Sequence, residues 1–135
     1  MATAIEEESA LKPPYVDATE QLVVEIFVRD IKRSTEFYHQ LGFEVIRDEG
    51  DFVELSWEGH RLFLDEQKNL PEPSDFPQAN MRVMVSNVDD YWQLAQKLGA
   101  RVINPIDNRY YGLRDFTITD PDGFGVRFAS DIRSN

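Results

Sequence analysis

The sequence predicts an α+β fold of two β-α-β-β-β modules, with curled mixed sheets around a concave cavity and the helices outside. Two observations predict it. The stretch FVRDIKRSTEFYHQLGFEVI, from Phe27 to Ile46, recurs without a gap 57 positions later as MVSNVDDYWQLAQKLGARVI, from Met84 to Ile103. Val28 falls on Val85, Leu41 on Leu98, Gly42 on Gly99 and Ile46 on Ile103. The strand pairs that close each half also superpose, now 64 positions apart, so that Gly59 meets Gly123, Leu62 meets Val126 and Leu64 meets Phe128. On the same shift Phe52 is expected to match Phe116. A long internal repeat is one supersecondary unit used twice, and two copies suit a closed pair better than a solenoid.

Each element has a local cause. Gln21–Val28 is rich in β-branched residues and reads as a strand. Asp30 is a suitable N-cap, and Ile31, Ser34, Tyr38 and Leu41 then fall on one helical face, joined by Phe37. Gly42 ends that helix where a positive φ is needed. Phe43–Arg47, Phe52–Trp57 and Arg61–Leu64 complete the first half, the last two joined through Glu58-Gly59. The second half repeats this order. Met81–Val85 is a strand, Asn87 a cap, Val88–Leu98 a helix stopped by Gly99, and Arg101–Asn104 a strand. Asp115–Thr119 and Gly125–Ala129 follow, turning at Pro121-Asp122-Gly123.

The organisation expected is an acidic flexible arm over 1–20 and a single domain over 21–130, followed by a tail over 131–135. Within the domain, 21–66 forms module one, the proline-bearing 67–79 a linker and 80–130 module two.

The bulk properties exclude several classes. The chain has 135 residues and a hydrophobic content of 41%, normal for a globular domain with a core. No apolar run approaches the roughly 20 residues of a membrane span, and the first residues lack a signal-peptide pattern. With no cysteine, thiol chemistry and thiolate metal sites drop out, and a cytoplasmic location is expected. A net charge of −11 argues against nucleic acid as the partner.

Strand alternation separates two faces. Val24, Ile26 and Val28 suit the helix, while Val23, Glu25 and Phe27 face the cavity. Met81, Val83 and Val85 pair with Asn80, Arg82 and Met84 in the same way. Val126 and Phe128 oppose Gly125, Arg127 and Ala129. The helix-facing sets are apolar and the cavity sets carry charge. Glu25 and Arg82 are repeat-equivalent, which favours a salt bridge across the cavity floor. The other reading is that Arg82 or Arg127 binds an anionic group, or Glu25 a cationic one.

The paired units, the V-x-D/N-[IV] opening of each helix, the L-G closing it and the D-P-D-G before the last strand resemble the vicinal oxygen chelate superfamily. That superfamily includes glyoxalase I, extradiol dioxygenases and the fosfomycin and bleomycin resistance proteins. The resemblance covers roughly 21–130. It implies a divalent metal held by His, Glu or Gln at four positions, which fall here on Val23, Phe63, Asn80 and Arg127. Val and Phe cannot ligate, Arg has no lone pair to offer, and one Asn is too few. The metal site of the family is therefore expected to be absent, and no cofactor is expected. His39 and His60, on a helix and a turn, offer no replacement.

The metal-free members are binding proteins, above all those similar to bleomycin resistance proteins. The resemblance to them also rests on Arg29-Asp30-Ile31 and on Gly112-Leu113-Arg114-Asp115-Phe116. It implies an antibiotic-resistance type of protein: a cytoplasmic homodimer that sequesters a cationic, partly aromatic ligand in a cleft between subunits. Inward Arg82 and Arg127 leave an anionic or neutral ligand open. Trp57, Tyr110, Tyr111, Phe52 and Phe116 are available to line the cleft, although Phe52 and Phe116 read first as repeat-equivalent core residues. Arg114-Asp115 reads as a local ion pair. The residues expected to bind ligand are Glu25, Phe27, Trp57, Phe63, Asn80, Arg82, Met84, Tyr110, Tyr111, Arg114 and Arg127. Two alternatives stand beside this: an enzyme of lyase or oxidoreductase type, with other metal ligands or with Glu25 as a general base beside Arg82, and a structural or sensory dimer.

Overall fold

A computed structural model describes residues 15–132, so most of the expected acidic arm and the end of the tail lie outside the described residues. The elements are α1 (Ala18–Gln21), β1 (Val24–Val28), α2 (Ile31–Leu41), β2 (Glu44–Asp48), β3 (Phe52–Trp57), β4 (His60–Glu66), β5 (Asn80–Met84), α3 (Val88–Lys97), β6 (Arg101–Asn108), β7 (Leu113–Thr119) and β8 (Gly125–Asp131). They form two mixed four-stranded sheets of identical order, β1-β4-β3-β2 and β5-β8-β7-β6. β1 runs parallel to β4 and β5 parallel to β8, and the remaining pairs are antiparallel. The two sheets do not close on each other. No helix among the described residues is long and apolar enough to cross a membrane.

The helices form as the sequence dictates. The Asp30 carboxylate accepts from the Arg33 amide at 3.2 Å, and the Asn87 side chain accepts from the Asp89 amide at 3.2 Å. Gly42 has φ 117°, and a Cβ there would lie 3.1 Å from the Trp57 ring. Each sheet also reaches back to its own helix. Glu66 at the end of β4 accepts from the Ile31 amide at 3.0 Å, and its counterpart Ser130 at the end of β8 accepts from the Val88 amide at 2.8 Å.

Several boundaries differ from the sequence expectation. Gln21 belongs to α1, a short turn capped by the Asp17 carboxylate, so β1 starts at Val24. β6 continues past Pro105 to Asn108. It is an edge strand with register shifts between Asn104 and Asp107, the setting in which a sheet tolerates proline. The larger correction concerns the hairpins. Leu64 pairs with Val53, and Phe128 pairs with Phe116. The equivalent of Phe116 is therefore Val53, not Phe52, because the β7–β8 turn holds one residue more than the β3–β4 turn. A slip of one residue moves a side chain to the opposite face. Phe116 is fully buried in the core, whereas Phe52 packs on Phe63 away from it, at 5.2 Å between ring centroids.

The helix-bearing faces of the two sheets share one core, which includes Ile26, Val28, Tyr38 and Leu64 from the first half and Val83, Phe116, Val126 and Phe128 from the second. Trp57 joins the halves, with its ring 5.1 Å from Phe43, 6.0 Å from Tyr91 and 6.1 Å from Phe128.

A polar clamp does the same at the Asp120–Gly123 turn. The Asp122 carboxylate accepts from Arg29 Nη1 at 2.9 Å and from Ser34 Oγ at 3.2 Å. The fully buried Tyr38 hydroxyl donates to Asp120 Oδ2 at 2.7 Å, and the Asp122 and Phe124 amides donate to Oδ1 at 2.9 Å each. The Arg29 guanidinium also donates to the Pro71 carbonyl, tying the linker to the clamp. Gly123 lets the linker approach, since a Cβ there would lie 2.7 Å from Pro73.

Burial pushes the Asp120 carboxyl above the ordinary carboxylate range and the Tyr38 phenol well above its own. Tyr38→Phe removes one of three donors to Asp120 without changing the packing shape. It is predicted to lower stability by about 1–3 kcal/mol, read as an earlier midpoint in urea unfolding with an unchanged slope.

Candidate functional site

The strand alternation expected is observed in β5 and in β1 from Glu25 onward, whereas Val24 of the helix-facing set is 46% exposed and Gly125 and Ala129 of the outward set of β8 are buried. Ile26, Val28, Val83, Val126 and Phe128 are buried, while Glu25, Phe27, Asn80, Arg82 and Met84 are exposed. Each sheet therefore presents one face to the core and leaves the other open.

The open face of the first sheet carries an aromatic group framed by charge. Phe63 lies between Glu25 on β1 and Glu54 on β3 in register, and its ring meets Phe52. Phe27 is 50% exposed beside them. Arg47 pairs with Glu54 at 3.3 Å and lies over the Phe52 ring at 5.3 Å, and Arg61 approaches Glu54 at 3.1 Å.

The open face of the second sheet is built around Asp115. Its buried carboxylate accepts from Arg109 Nε at 2.7 Å, from Tyr111 Oη at 2.7 Å, and from Arg127 Nη2 at 2.7 Å and Nε at 3.0 Å. Burial alone raises the Asp115 carboxyl. The hydrogen bonds from Tyr111, Arg109 and Arg127 together outweigh it and hold the group below the usual carboxylate range. The Arg127 guanidinium also lies over the Tyr111 ring at 5.5 Å. With the hairpin offset corrected, Asp115 and Arg127 are the counterparts of Phe52 and Phe63. An ion pair in one sheet thus stands where an aromatic pair stands in the other.

The structure divides the residues expected to bind ligand. Asn80, Arg82, Met84, Tyr111 and Arg127 gather on or beside the open face of the second sheet. Glu25, Phe27 and Phe63 gather on that of the first. Arg114 points elsewhere: it lies opposite Ser130 in register and pairs with Asp89 of α3 at 2.9 Å, not with Asp115. Trp57 belongs to the junction of the halves, where it lines a cleft of about 420 Å³ with Val24, Leu62, Met81, Val83 and Arg82. Tyr110 is fully exposed, its ring edge-on to Tyr111. The expected Glu25–Arg82 salt bridge is not formed, and neither side chain has an ion pair or hydrogen bond among the described residues. Each lies on the open face of its own sheet, so repeat equivalence did not bring them together. Arg109 and the central place of Asp115 were missed. The signal for Asp115 was the one-residue difference between the hairpins, which puts it on the face of Arg127; that offset does not mark Arg109.

The four positions where a metal would be held do not fit one. Phe63 is packed against Phe52, and Arg127 is a cation held on Asp115. Val23 has no donor, leaving Asn80 alone. Among the described residues no three His, Asp or Glu side chains gather to hold an ion. His39 instead meets the Phe43 carbonyl through Nδ1 at 3.1 Å.

Arg127→Met is predicted to destabilise the fold by about 1–3 kcal/mol at pH 7, because buried Asp115 loses a charged donor. The folded pKa of Asp115 is depressed, so its contribution is present above the unfolded value of about 3.9 and lost as pH falls through the folded one. The difference between wild type and variant should shrink below about pH 4 when urea unfolding is followed across pH.

Comparison with known proteins fits this architecture. The sequence model of the Glyoxalase/Bleomycin resistance protein/Dioxygenase superfamily matches residues 20–128. A bleomycin resistance protein of Geobacillus stearothermophilus is 28% identical over 125 residues, covering 79% of this chain and 93% of that one. Among solved structures, a bleomycin-binding protein complexed with bleomycin superposes with a TM-score of 0.65 at 17% identity, over 83% of this chain and 98% of that chain. A glyoxalase/bleomycin resistance protein/dioxygenase from Alicyclobacillus acidocaldarius gives 0.67 at 20% identity, over 86% and 95%. The chain belongs to the Glyoxalase/Bleomycin resistance protein/Dioxygenase superfamily.

Proposed function

We propose that this protein is a metal-independent small-molecule-binding protein of the cytoplasm. In this reading it sequesters a drug or metabolite against its open sheet faces, and a second copy completes the cleft. The observation that carries the reading is the Asp115–Arg127 pair. At a position where the family resemblance implies a metal ligand, this chain has a guanidinium neutralised by a buried carboxylate. Without a Lewis acid the site has shape, aromatic surface and charge to offer, which are means of binding. The matched relatives named as bleomycin resistance proteins support the same class.

The open faces favour a twofold dimer. Phe27 and Met84 are 50% and 42% exposed on strands whose other side is core. A twofold axis through this surface covers the exposed Phe27 and Met84 of both chains at once.

Two measurements check this. In a thermal-shift assay, Mn²⁺, Ni²⁺ and Zn²⁺ should leave the melting temperature unchanged. At least one flat aromatic compound from a drug and metabolite panel, bleomycin among them, should raise it; saturation at a hundredfold over Kd corresponds to about 2.7 kcal/mol. A reproducible metal-induced rise removed by chelation would overturn the reading. In sedimentation velocity the chain should run as a dimer of 15.7 kDa subunits, and Phe27→Lys should shift it towards monomer.

A further inference from the structure

We infer that the ligand is anionic: a molecule with a carboxylate, sulfonate or phosphate group held by Arg82, and an apolar body lying in the cleft between the halves. This rests on the small-molecule reading above and adds the ligand's charge to it. Arg82 on β5 and Arg127 on β8 are register partners on one sheet face. Like charges placed side by side across a strand pair are destabilising. Arg127 is relieved by Asp115, but Arg82 is exposed and its side chain has no partner among the described residues.

Asp115 does not take up the charge of both arginines. Arg109 and Arg127 sit on the buried carboxylate of Asp115, whose oxygens are already occupied by them and by Tyr111. Asp115 therefore orients Arg127 without taking up the charge of Arg82. A guanidinium has five N–H donors in a planar fork that matches an oxyanion; Arg127 spends its Nε and Nη2 on Asp115 and Tyr111, whereas the fork of Arg82 is free to meet one.

The apolar half of the site adjoins Arg82. The cleft of about 420 Å³ has Arg82 and Met84 on its wall together with Trp57, Leu62, Met81 and Val83. Its other charged lining groups are Arg61, which is shared with Glu54, and Glu58, which sits exposed in the tight β3–β4 turn. A volume of this size takes a bicyclic aromatic system. Val24, 46% exposed on a helix-facing register, is the apolar surface such a body would cover.

The test uses three ligands of equal shape: 2-naphthoate, 2-naphthalenemethanol and 2-naphthylmethylammonium, each titrated into the full chain by calorimetry at low salt. The naphthoate should bind at least about tenfold tighter than the alcohol, as expected for a charge-assisted contact, and the ammonium weaker than both. Arg82→Gln should bring the naphthoate down to the alcohol and leave the alcohol unchanged. Equal binding of the three, preference for the ammonium, or an unaltered naphthoate preference in Arg82→Gln would overturn the inference while leaving the small-molecule reading intact. Silence of all three would also overturn it, and the broader reading falls with it only if the drug panel is silent too.

Discussion

The clasp of the Asp120–Gly123 turn by Arg29, Ser34 and Tyr38 is the constraint on which the rest of the molecule depends. It links the β1–α2 segment of the first half to the β7–β8 turn of the second, across more than 80 positions of sequence. Each carboxylate in it is well supplied with donors, which offsets the cost of placing charge beside a core. Together with Trp57 it holds the two helix-bearing faces on a common core. Strand alternation then turns the other face of each sheet away from that core. The open surface follows from where the core is.

What was legible in the sequence was local or periodic. The caps at Asp30 and Asn87 and the glycine stop at Gly42 depend on a few neighbouring residues, and they stand where the sequence puts them. The inward and outward sets of β1 and β5 depend only on parity. The ion pairs were not legible. Arg109, Arg114 and Arg127 all lie near Asp115 in sequence or register, and which of them reaches it is decided by face. Arg114, the immediate neighbour, is on the wrong face. Phe52 failed as a core residue for the same reason: a single extra residue in one turn reverses the alternation of the strand before it. Glu25 and Arg82 show the limit of symmetry arguments, since equivalent places in two units need not be adjacent places.

A shared architecture constrains chemistry less than its individual side chains do. In this chain the last strand of the second half carries an arginine braced by a buried aspartate, and its counterpart in the first half is a phenylalanine braced by another. These pairs are self-satisfied. Neither presents the convergent lone pairs that a divalent ion requires. The open faces retain aromatic surface on one side and unneutralised guanidinium on the other, a composition suited to holding a molecule in place.

The most direct test of that account is a crystal structure of the full chain grown with excess Ni²⁺ and measured at the metal's absorption edge. The account predicts no anomalous peak on the open faces and the Arg127 guanidinium still seated on Asp115. A peak there, coordinated by three or more protein atoms with Arg127 displaced, would contradict it.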